Sequence, residues 1–145
     1  MTEDGGQVIG SGELAEAVAT PLPQMDKILR MVRCGQTNAA IAMARMERAT
    51  DGFFAHSAIV EIYHVISGRG THFSGGRLVD PQAADYAPTG PGFSSARVEG
   101  GALASVGPGD VVVVPRGTPH AWTEIAEPVT YLVVRIDPGG VLVAE

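Results

Sequence analysis

The stretch Gly109-Asp110-Val111-Val112-Val113-Val114-Pro115-Arg116-Gly117-Thr118-Pro119-His120 constrains the fold more than any other part of the chain. Four β-branched residues in a row favour an extended strand, because branching at Cβ stiffens χ1 and suits a pleated surface. With no alternation of polar residues, this strand is expected to be buried on both faces. Pro115 and Gly117 then stop it in a tight turn, and the turn delivers His120 at a fixed point just beyond. Upstream, a second strand-like segment carries His56 and Glu61. Two imidazoles and one carboxylate from two separate strands are the ingredients of an open metal site.

Length and composition set the frame around that feature. A chain of 145 residues suits one domain with a sizeable core, and 45% hydrophobic against 18% charged content describes a globular rather than a disordered protein. The net charge is −6, and the lysines and arginines are scattered without a basic cluster. That disfavours nucleic acid and anionic membrane surfaces as partners. Cys34 is the single cysteine, so no intrachain disulfide can form, and it reads as a turn-adjacent thiol. The acidic, glycine-rich start does not resemble a signal peptide, and no apolar run approaches the ~20 residues of a membrane span. A soluble cytoplasmic protein is expected.

Along the chain, residues 1–37 read as a tail with short helices at 13–19 and 23–32. From 38 to 137 the texture is that of a single β-barrel, and 138–145 read as a C-terminal tail. Strands are expected at 41–46, 58–66, 71–73, 104–106, 111–114, 120–125 and 130–136, with a turn at Ser67-Gly68-Arg69-Gly70. Residues 78–102 are rich in proline and glycine and poor in large apolar side chains, so they read as a long loop. The loop is either a lid, with Tyr86 and Phe93 as its natural plugs, or a tolerated surface insertion. Many short strands separated by glycine and proline turns predict an all-β antiparallel sandwich or barrel.

At these residues the chain resembles the cupin superfamily, small β-barrels of jelly-roll type. The family's second motif, G-x5-P-x-G-x2-H-x3-N, fits at Gly109, Pro115, Gly117 and His120, with Glu124 in the final position. The first motif, G-x5-H-x-H-x4-E-x6-G, fits at His56, Glu61 and Gly68. Its earlier histidine falls on Phe54, and its leading glycine is out of register. The resemblance covers about residues 38–137. It implies that His56, Glu61 and His120 converge inside the barrel as a two-histidine, one-carboxylate site for a divalent transition metal such as Fe, Mn, Ni or Zn.

Strand alternation extends the candidate site. Tyr63 and Val65 share the face of Glu61, so Tyr63 is expected near the metal, as an acid, a base or a hydrogen-bond donor. Some cupin lyases resemble this arrangement, with a tyrosine two residues after the glutamate. Trp122 shares the face of His120 and is expected as a pocket wall beside Phe54 and Val65. His72 is a reserve ligand, and His64 should point the opposite way. Arg45 and Arg135 lie in apolar strands and need an acidic partner or an anionic ligand, either a structural salt bridge or a substrate clamp.

The resemblance implies a metal-dependent enzyme acting on a small organic substrate: a dioxygenase, a lyase or an isomerase. The alternatives are a non-catalytic binding or sensing cupin and a metal-free, sugar-type epimerase or isomerase. A homodimer formed through strands or exchanged termini is expected, with no nucleic-acid partner and no membrane partner.

Overall fold

Two long, bent strands organise the chain in a computed structural model that describes residues 6–19 and 24–143. A short helix, α1 (Ser11–Ala19), precedes β1 (Gln24–Cys34), β2 (Thr37–Met46), β3 (Phe53–His56) and β4 (Val60–Ser74). There follow β5 (Arg77–Val79), β6 (Gln82–Tyr86), β7 (Gly90–Ser95), β8 (Arg97–Glu99), β9 (Ala102–Val106), β10 (Val111–Val114) and β11 (His120–Asp137). No helix among the described residues is long and apolar enough to cross a membrane.

The long strands β4 and β11 pair antiparallel from His120↔Ser74 to Ile136↔Val60, through several register shifts. Each bends midway, so its two halves serve different faces of a barrel. The second half of β11 also pairs with β2, and β2 with β1, while the first half of β4 pairs with β10. The first half of β11 reaches β3, which pairs with β7 and through it with β6. The second half of β4 pairs with β9. Gly68 sits at the bend of β4 with φ +88°, and a Cβ there would lie 1.9 Å from the Pro128 carbonyl oxygen. Only glycine lets the two bent strands approach so closely.

The core lies between the two faces. Ala42, Ala44, Val65, Val114, Val129 and Val133 pack there with Tyr63, Trp122 and Tyr131. At the closed end, Asp137 accepts hydrogen bonds from the backbone of Val141 and Leu142 and from Asn38 Nδ2. The C-terminal tail is therefore pinned to the barrel through Leu142.

Several expectations are corrected. The first helix is present, but most of the segment read as the helix 23–32 is strand β1; Pro23 lies outside the described residues. The β1–β2 register shifts between Ile28 and Arg30, and this bulge breaks the alternation into a helix-like spacing of apolar residues. The sheet therefore begins at Gln24 rather than at 38. The expected loop 78–102 is built of strands β5 to β8, whose small residues hide the alternation. Ser67–Gly70 is a bend within β4 rather than a turn between two strands, and β11 likewise runs unbroken where two strands were expected. Val111 and Val113 are 60% and 55% exposed, so β10 is buried on one face only.

β7 lies unusually close to β3, the strand that carries His56. A Cβ on Gly92 would fall 2.1 Å from the Ala55 carbonyl oxygen. Gly92→Ala is accordingly expected to push β7 off β3 and cost about 2–3 kcal/mol, read as a lowered denaturation midpoint. An unchanged midpoint would contradict the close β3–β7 packing.

Candidate metal centre

Three strands bring the three candidate ligands together. His56 ends β3, Glu61 opens β4 and His120 opens β11. The turn between β10 and β11 holds its neighbours in place: Gly117 N donates to the His56 carbonyl at 2.7 Å, and Gly75 N donates to the Pro119 carbonyl at 2.9 Å. The glycine and proline spacing of the sequence thus fixes His120 against the backbone of the His56 strand. The His56 and His120 Nε2 atoms lie 3.4 and 3.5 Å from Glu61 Oε1. One donor atom from each of the three residues lies within 4.8 Å of the others.

The hydrogen bonds around the cluster say what belongs in it. His120 Nδ1 faces the Thr118 carbonyl oxygen at 3.1 Å. A carbonyl can only accept, so Nδ1 carries a proton and Nε2 is the nitrogen turned toward Glu61. Burial lowers the His56 pKa to about 4, more than the Glu61 charge raises it, so this ring is neutral at pH 7. Burial alone would raise the Glu61 carboxyl. The His120 ring, the Arg135 guanidinium and His56 together outweigh it and hold the group well below the ordinary carboxylate range. The two Nε2 atoms and Glu61 Oε1 therefore face one another around one point. Such a donor set fits a divalent cation and could hold one.

Behind Glu61 the charge is shared. Arg135, 2% exposed, donates from Nε to Glu61 Oε2 at 2.8 Å and from its two terminal nitrogens to Asp26. Tyr63 donates to Glu61 Oε1 at 3.2 Å. Burial, then the Glu61 charge, pushes the Tyr63 hydroxyl well above its ordinary range, so it stays protonated and acts as a donor. Two carboxylates against one guanidinium leave one negative charge for a bound cation to offset.

The cluster opens onto a cavity of about 550 Å³. Phe54, Tyr63, Trp122 and Arg135 line it, beside His56, Glu61 and His120. Tyr86 lines it too, its ring 5.6 Å from Phe54 in an edge-to-face contact. Phe93, the other expected plug, points away and is 46% exposed. Val65 is buried in the core and does not reach the cavity. His72 is buried behind the wall, its ring 6.2 Å from His120 and 4.9 Å from Trp122, outside the three-residue cluster. Arg45 lies apart from the cavity, bonded to Thr130 and Glu47, and Arg135 is committed to its two carboxylates. Neither arginine is placed to clamp an anionic substrate.

Sequence reasoning missed Asp26, Met46, Thr50, Pro88, Thr89 and Tyr131. Tyr131 alternates with Val133 and Arg135, so strand periodicity contained it. Asp26 was hidden by the bulge in β1. Thr50 fixes the cavity wall by accepting a hydrogen bond from Trp122 N at 3.0 Å, and nothing in the local sequence announces that contact.

With fold and geometry in hand, comparison with known proteins gives the class. No family model matches the sequence, and no curated protein matches it. Solved structures do. A Bacillus halodurans protein aligns with TM-score 0.60 at 14% identity, over 95% of this chain and 87% of its own. Hydroquinone 1,2-dioxygenase from Sphingomonas sp. TTNP3, with 4-hydroxybenzoate bound, aligns with TM-score 0.54 at 18% identity, over 99% and 87%. A Klebsiella pneumoniae protein with a double-stranded β-helix domain aligns with TM-score 0.52 at 13% identity, over 94% of each chain. The chain has a cupin-like fold, the double-stranded β-helix.

Arg135→Met is expected to destabilise the protein by about 3–5 kcal/mol, because it strands a buried carboxylate; chemical denaturation measures this. A loss below about 1 kcal/mol would show that Glu61 does not depend on the ion pair. Acid should also weaken the fold. His56 and His72 each titrate near 6.5 when unfolded and near 4 when folded, burial being the main cause in both. The unfolded chain therefore takes up protons that the folded one refuses. Stability is full above pH 6.5 and falls between pH 6.5 and 4, by up to about 3 kcal/mol per ring. Denaturation midpoints across this window give the slope, and His72→Leu should remove part of it.

Proposed function

We propose that this protein is a metal-dependent enzyme that acts on a compact, largely apolar organic substrate without a strong negative charge. The observation that carries this reading is the convergence of His56, Glu61 and His120 at the wall of an aromatic-lined cavity. A divalent transition metal bound there supplies Lewis-acid polarisation or, if it is redox-active, the means to use dioxygen.

The chain's own residues supply the rest. Phe54, Trp122 and Tyr86 offer flat apolar surface for a ring-sized substrate and keep water from the reacting face. With Arg135 already paired, no free cation among the described lining residues attracts a substrate carboxylate. That disfavours sugar phosphates and charged acids. Tyr63 holds Glu61 in orientation and keeps its proton, so it serves as a hydrogen-bond donor rather than a resting base. Phe54, where the related motif has a histidine, offers no ligand atom, so a metal held by His56, Glu61 and His120 would keep more positions open to water and substrate. The hydroquinone 1,2-dioxygenase that shares the fold makes dioxygenation of hydroquinone the first reaction to test.

A second reading has one observation behind it. Glu61 is already ion-paired through its other oxygen, so the site can persist without metal, as a small-molecule binding protein would need. Reconstitution separates the two. Protein loaded in turn with Fe(II), Mn(II), Ni(II) and Zn(II) is assayed with hydroquinone for oxygen uptake, and with a panel of neutral phenols and ketones for product. The enzyme reading expects turnover with one metal, lost in His56→Ala/His120→Ala. Ligand binding with no turnover under any metal would move the assignment to a binding protein. Tyr63→Phe should keep the metal but hold it roughly 10-fold less tightly in chelator competition.

A further inference from the structure

The inner face of β3, β7 and β6 continues well beyond the candidate metal centre. Cross-strand register sets His120 beside Phe54, Phe54 beside Ser94 and Ser94 beside Gln82 in one row. The adjoining row on that face is His56, Gly92 and Ala84, and the next joins Gly90 to Tyr86. Cross-strand partners share a face and alternate residues stay on it, so these positions make one surface. Phe54 and Tyr86 are its only large apolar side chains. With about 4.8 Å between neighbouring strands, β7 and Ser94 lie about 10 Å across the sheet from β11 and His120.

Phe54, Ser94, Gln82 and Tyr86 line a second cavity on this face, of about 430 Å³. Phe54 and Tyr86 line the first cavity as well, and no other described residue lines both. Their rings meet edge to face at 5.6 Å, so the partition between the cavities is one aromatic contact. Tyr86 is 46% exposed, so its ring can turn outward without unpacking the core. The two cavities differ in chemistry. Trp122 and Tyr131 help to make the first aromatic, whereas Asp51, Asp80 and Arg97 join Gln82 and Ser94 around the second. Arg97 pairs with Asp80 at 3.7 Å, which leaves Asp51 without a cation among the described residues.

We propose that the second cavity belongs to the same binding site and takes the arm of an aromatic ligand, an arm that ends in an ammonium group. The inference rests on the reading above that a ring occupies the first cavity. Two strand spacings, about 10 Å, are close to the reach of a phenol ring bearing a two-carbon arm. Such an arm leaves the first cavity between Phe54 and Tyr86, the residues common to both. Charge selects its tip. Two carboxylates and one guanidinium give the second cavity one net negative charge, in a chain of net charge −6. A cationic donor is attracted there and a carboxylate repelled. The Gln82 amide and the Ser94 hydroxyl offer further hydrogen bonds.

The chain's one tryptophan, Trp122, lines the first cavity, so its fluorescence reports a bound ring whether or not turnover follows. The full chain supplied with Zn(II), which does not activate dioxygen, is titrated at neutral pH with four phenols. They are para-ethylphenol, tyrosol, tyramine and para-hydroxyphenylpropionate, which differ only at the tip of a two-carbon arm. Tyramine should bind at least about 3-fold tighter than para-ethylphenol, with tyrosol between them and the carboxylate weakest. Asp51→Asn, an exposed position, should bring the ratio of tyramine to tyrosol affinity to about one, with circular dichroism as the check on folding. A para-ethylphenol that binds as tightly as tyramine would overturn the inference and leave the ring reading intact. So would a tyramine advantage that persists in Asp51→Asn, since the ammonium would then sit elsewhere, as beside Asp26 in the first cavity. If none of the four phenols changes the Trp122 emission, the inference and the reading of a ring in the first cavity fail together.

Discussion

Glu61 is a carboxylate at the centre of a barrel, and the rest of the site depends on how its charge is compensated. One oxygen is held by Arg135 and the other by Tyr63, and Asp26 completes the coordination of the guanidinium. A buried charge without such partners would cost several kcal/mol and would drive the strand out of register or the carboxyl to its neutral form. Because β4, β11 and β1 each contribute one member, the ion group also ties together the three strands that shape the cavity. His56 and His120 then face the one oxygen side left to them.

The same sheet serves the core and the site together. Its inner rows place Ala42, Ala44, Val65 and Val133 in the core and Glu61, Tyr63, Tyr131 and Arg135 at the cavity. Aromatic packing of Tyr63, Trp122 and Tyr131 joins the two, with ring centroids 4.7 to 6.4 Å apart. The outward face of β10 leaves Val111 and Val113 partly in water. Site chemistry and surface chemistry are two consequences of one alternation.

Much of this was legible from residues. The Gly109–His120 spacing located a candidate ligand and its turn, and the isolated Glu61 in an apolar strand identified a buried carboxylate that needed partners. With the cupin resemblance they pointed to the candidate triad and to the barrel. Tertiary context concealed the rest. A single bulge beside Leu29 converted β1 into an apparent helix and hid Asp26. The hairpins between Arg77 and Glu99 lack the large apolar alternation that marks strands, because residues such as Gly92 must lie flat against β3. Val111 to Val114 looked doubly buried because a run of valines does not reveal that one face will lack a partner. Local sequence reports what a residue type can do; which neighbour it meets depends on register.

The claim on which the others rest is that His56, Glu61 and His120 bind one divalent cation together. The most direct test is a titration of metal-free protein with Co(II), followed through its visible ligand-field absorption, on the wild type and on His120→Ala and Glu61→Gln. A shared site gives bands that saturate at one equivalent and are lost or displaced in both variants, while the folded circular dichroism of His120→Ala persists. Featureless spectra, or the same bands in wild type and variants, would mean that the three side chains form a structural hydrogen-bond cluster and not a metal centre.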